Sequence, residues 1–160
     1  MPMSSDNTIP YIERSKKYYE AQGFHKPYAW SHSTETPFTR LKKPLPESKV
    51  TIVTTTMPDD SYVDEQRRLA IGDLKNPPEK FFTDGLFWDR DATHTDDRET
   101  YFPINELNRR VAAGELGDLA EHYYCVPTIY SHRRTAARDA PKIVQSCLKD
   151  KVDVALLVPL

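Results

Sequence analysis

In the stretch WDRDATHTDDRE, five carboxylates surround one histidine: Asp89, Asp91, Asp96, Asp97 and Glu99 around His94. An imidazole titrates near neutrality and a neighbouring carboxylate fixes its tautomer, so such a set suits a general acid and base pair. With one carboxylate, His94 could also ligate a metal. His94 and Asp97 are therefore the first catalytic candidates, and a solvated acidic loop built of Asx-turns is the competing account. Cys125 is the second candidate. It follows Tyr123 and Tyr124 near the expected end of a strand, with His122 and His132 close in sequence. A histidine that lowered its pKa would make the thiolate a nucleophile or redox centre, whereas a free cysteine of this kind is more often a small buried hydrophobe. A third set, Arg133 and Arg134 in SHRRTAARD, precedes a helix and could hold a carboxylate or phosphate, although such arginines are more often ordinary surface charge.

The elements that would position these groups follow from periodicity. IPYIERSKKYYEAQGF has helical spacing and is stopped by Gly23. KVTIVTTT, from Lys49 to Thr56, is β-branched and apolar enough for a buried strand. FPINELNRRVAAGELGDL predicts a helix starting near Pro103 or Asn105 and ending at Gly114 or Gly117. EHYYCVPTIY predicts a strand ending near Pro127, Thr135 to Lys149 a second helix, and Asp153 to Val158 a last strand of the parallel-sheet type. Residues 57–100 resist assignment, and so long an irregular connection is usually functional. Strand, connection, helix, strand, helix, strand indicates an α/β fold: a three-layer sandwich with a small, mainly parallel sheet. Residues 1–160 are expected to form a single domain.

Composition narrows the function. At 160 residues, with 22 basic and 24 acidic side chains, the chain has no dense basic stripe, so nucleic-acid partners are not expected. No apolar run reaches the length of a membrane span, and a cytoplasmic protein without membrane partners is expected. Two cysteines, without a Cys-x-x-Cys or His-x-x-x-His spacing, predict neither a structural disulfide nor a structural zinc site, and no cofactor is expected.

Several segments taken together resemble a known family. IPYIERSKKYYEAQGFHKPYAW, PFTRLKKPLPESKVTIVTT, ATHTDDRETYFPINELNRRVAAGELGDLAEHYY and the final VDVALLVPL are similar to the selenoprotein B-like proteins of the glycine, sarcosine, betaine and D-proline reductase family. The resemblance spans almost the whole chain. It implies an oxidoreductase that reductively cleaves a carbon–nitrogen bond of an amino-acid-derived small molecule, with a disulfide as acceptor. It also implies a redox motif, Cys-x-x-Cys-like or containing selenocysteine, directly after the strand matching VALLVPL. That motif is absent, so a chain truncated at its C-terminus is one expectation. Activity would then rest on Cys125, on a partner reductase subunit or a second copy, or on further residues, with His94 and Asp97 orienting or protonating the substrate. The alternatives are a non-catalytic binding or assembly subunit, and a metal-dependent lyase or hydrolase centred on His94 with Asp96 or Asp97.

Overall fold

The computed structural model describes residues 10–26, 32, 34–36, 39–62, 67–84, 86 and 90–160. The chain divides into two compact units, Met1–Phe38 and Thr39–Leu160. In the first, helix α1 (Tyr11–Ala21) begins at Pro10 and ends before Gly23, whose φ of +88° is the left-handed conformation glycine adopts without strain. No residue of α1 is buried. Its aromatic rings stack edge-on with their neighbours, Tyr18 on Tyr19 at 5.7 Å and Tyr19 on Phe24 at 6.0 Å between centroids.

The second unit is an α/β fold around an open, mostly parallel sheet of five strands. Strand β1 (Lys49–Thr54) is its centre, buried from Val50 onward, as its run of β-branched residues demands. Strands β3 (Asp118–Leu119) and β4 (His122–Cys125) run parallel to β1 in succession. Strand β5 (Val154–Val158) runs parallel to it from Val50 to Thr54. Because Val50 pairs with both Leu119 and Val154, and Val53 with both Tyr124 and Leu157, β5 lies along the edge of β1 opposite β3 and β4. Strand β2 (Ala70–Asp73) pairs antiparallel with β4 and closes that side. Short AIGD, with one exposed face, lacks the apolar alternation that would have revealed it in the sequence.

Registration sorts the side chains into two layers. Val50, Ile52, Tyr123 and Cys125 join Phe81, Tyr101, Phe102 and helix α2 (Ile104–Ala112) in one core, through Ile104 and Leu107. Phe81 and Phe102 lie 4.7 Å apart and Tyr123 stands edge-on to both. Thr51, Val53 and Tyr124 alternate to the other face, as strand geometry requires. The chain reaches β5 through a helical segment of changing pitch: α3 (His132–Arg134), a π turn (Thr135–Asp139) and α4 (Ala140–Lys149). The expected single helix from Thr135 therefore starts earlier and is interrupted. Pro141 in the first turn of α4 has no N–H to return to the preceding turn, and Ala140 N–H reaches back to the Thr135 carbonyl instead.

Candidate functional site

Three places in the second unit hold chemistry-bearing side chains. One is an open cleft of about 510 Å³ lined from residues 58–59, 80–84, 90 and 93–96. Phe81 and Phe82 line it, and the main chain of Phe82 is bridged to Met57 on both sides, at 2.8 and 3.2 Å. A buried hydroxyl pair, Thr83 Oγ1 to Thr95 Oγ1 at 2.8 Å, ties its two strands of chain together. Around the mouth stand cations, Lys80 and Arg90, and carboxylates, Asp59, Asp84 and Asp96.

His94 lines this cleft, with its side chain 73% exposed. Its Nδ1 accepts weakly from the Asp96 N–H at 3.4 Å and lies 3.7 Å from the Asp96 carboxylate. Asp97 lines a different hollow, with Glu79, Arg98 and Asn105. There it is a capping residue: its Oδ1 accepts from Glu99 N–H at 3.0 Å, opening the turn Arg98–Thr100. Glu99 in turn accepts from the Asn105 and Glu106 N–H groups at 3.0 and 3.4 Å, satisfying the first turn of α2. Asp97 and Glu99 thus form a relay of caps that sets the start of α2, and Asp96 is the carboxylate placed beside His94. Asp89 lies outside the described residues.

Cys125 is fully buried in the core beside Ile52 and Tyr123. Burial pushes its thiol far up from the ordinary range, which works against a thiolate. Cys147, half-buried on α4, is also raised by burial, and both cysteines are free. Arg133 and Arg134 are exposed on α3, where Ser131 Oγ caps the Arg134 N–H at 3.3 Å. The arginine drawn inward in this region is Arg138, paired with the wholly buried Asp139.

The third place was invisible to motif reading. At the start of β4, His122 Nδ1 meets Asp150 Oδ2, at the end of α4, at 2.6 Å. The Asp150 side chain is 7% exposed and that of His122 34%. Glu121 completes the group, with one donor atom of each of the three within 4.8 Å of the others. His122 and Asp150 are 28 residues apart, and only the β4–α4–β5 crossover brings them together. No other such trio of His, Cys, Asp or Glu occurs among the described residues.

These features define the second unit as a small α/β fold with an open, mostly parallel sheet and a polar cleft. Beyond that class, comparison of the chain with family models, curated proteins and solved structures gives no match. Among the described residues no helix is long and apolar enough to cross a membrane.

Proposed function

We propose that the chain is the substrate-binding component of a cytoplasmic, selenoprotein B-like reductase of the glycine, sarcosine, betaine and D-proline reductase family. Its substrate is a small amino-acid derivative, and the redox pair for reductive carbon–nitrogen cleavage is carried by a partner subunit. The observation that supports this reading is the cleft with both charge signs at its mouth. A zwitterionic amino-acid derivative presents a carboxylate, which Lys80 complements, and a cationic nitrogen, which Asp96 complements, while Arg90 and Asp84 at the same cleft face each other at 3.8 Å. His94, at the same rim, is the group placed to hand a proton to the departing nitrogen. The burial of Cys125 is consistent with electrons arriving from elsewhere.

Calorimetric titration of the whole chain with glycine, sarcosine, betaine and D-proline tests this. Saturable binding of at least one, weakened in Lys80→Ala and in Asp96→Asn, is the expected result. Failure of all four to bind, or binding indifferent to both substitutions, overturns it.

A further inference from the structure

We propose that Glu121, His122 and Asp150 form a binding site for a divalent transition cation of the zinc class. The ligand types are those zinc takes, and a site of three protein ligands leaves a fourth position for water. An imidazole nitrogen in the set disfavours magnesium and calcium, which prefer oxygen alone. The donor atoms are already gathered, all within 4.8 Å of one another.

The surroundings favour a cation. Asp150 is the C-cap of α4, where the helix macrodipole is negative and a buried carboxylate is out of place. Lys49 Nζ donates to the Asp150 main-chain carbonyl at 3.3 Å, and among the described residues no ion pair joins it to the carboxylate. Asp73 stands opposite His122 in the β2–β4 register and adds negative charge, while its own carboxylate is held by Asn76 and by the Lys75 N–H, both at 2.8 Å. The Glu121 carboxylate makes no hydrogen bond or ion pair among the described residues and is exposed, so it can swing in without breaking anything. Entry of the ion replaces the hydrogen bond between His122 Nδ1 and Asp150 Oδ2, its proton passing to Nε2 or to solvent, and requires those atoms to part by under about 1 Å, given metal bonds near 2.0–2.1 Å. The backbone beneath is fixed: the Thr51 hydroxyl donates to the His122 carbonyl at 2.6 Å.

The experiment is calorimetric titration of the whole chain with zinc chloride in the presence of excess magnesium, repeated on Glu121→Gln, His122→Asn and Asp150→Asn, with His94→Ala as control. One equivalent is expected to bind to the parent and to His94→Ala alike, with affinity at least about tenfold lower in each of the other three. Glu121 is exposed, so its substitution leaves the fold intact and keeps the test decisive if Asp150→Asn unfolds. Absence of zinc binding overturns the proposal. So does binding that survives Glu121→Gln and His122→Asn undiminished, because the ion then sits on other surface groups.

Discussion

Arg138 grips its own neighbour, Asp139: Nε lies 2.8 Å from Oδ1 and Nη2 3.2 Å from Oδ2. The aspartate side chain is 1% exposed, and the same Nη2 also donates to the Arg67 carbonyl at 2.7 Å. The π turn makes this possible, since it carries Asp139 into the interior just before α4 begins. Removing the arginine strands a buried carboxylate, whereas removing the charge at the aspartate does not. Arg138→Ala is therefore expected to lose about 2 kcal/mol in urea denaturation, and Asp139→Asn about 1 kcal/mol. The double variant should be more stable than the sum of the two losses, and simple additivity would show that the pair is not coupled.

Two glycines near the end of α2 are needed for different reasons. Gly114 has φ of +69° with open space about it, so alanine there meets only backbone strain. Gly117 has no such φ, but a Cβ on it would come within 2.7 Å of the Glu47 carbonyl carbon and the Ser48 backbone. Its N–H donates to the Leu45 carbonyl at 2.9 Å, which holds the two segments together. Gly114→Ala is expected to cost about 1 kcal/mol and Gly117→Ala about 2 kcal/mol or more, by equilibrium unfolding. Equal losses would mean that the chain gives way around Gly117.

What the sequence made legible were the elements whose pattern is local. The β-branched KVTIVT run, the amphipathic INELNRRV and the stop at Gly114 all lie where their spacing places them. The mainly parallel α/β fold followed from their order. Strand β2 was not legible because its placement depends on Tyr123: Gly72 sits against that ring, where any side chain would collide. The site fared worse for the same reason. His94 and Asp97 are close in sequence yet line separate hollows, while His122 and Asp150 meet only after β4, α4 and β5 are packed. Spacing rules read neighbours along a chain, and a crossover connection makes neighbours across it.

Stability should depend on pH through Glu106. Its carboxylate accepts from Arg109 Nε at 2.7 Å, Arg109 Nη2 at 2.8 Å and Arg110 Nε at 2.8 Å. Chiefly the Arg109 hydrogen bonds, and then Arg110, hold its pKa down from the ordinary 4.5 to about 2. A carboxylate with a depressed folded-state pKa stabilises the fold fully above its unfolded value and loses that support as pH falls. Denaturation midpoints are expected to decline between about pH 4.5 and about pH 2. Glu106→Gln should flatten this part of the profile, and because the pairs are solvent-exposed, 1 M salt should do much the same. An unchanged profile in the variant would assign the decline to other carboxylates.

The thiols should distinguish an interior from a surface. Cys125 is 0% exposed and Cys147 only partly buried, and burial raises both pKa values, that of Cys125 much the further. A thiol reagent attacks the thiolate, so accessibility and ionisation act in the same direction here. In native protein at pH 8, Cys147 is expected to react slowly and Cys125 only as fast as the core opens, while denaturant should release both at once. Substituting Cys147 by serine then leaves a single slow phase whose rate follows denaturant concentration. A fast native phase surviving that substitution would place an ionised, reachable thiol at Cys125 and would count against the proposal that the redox pair is carried by a partner.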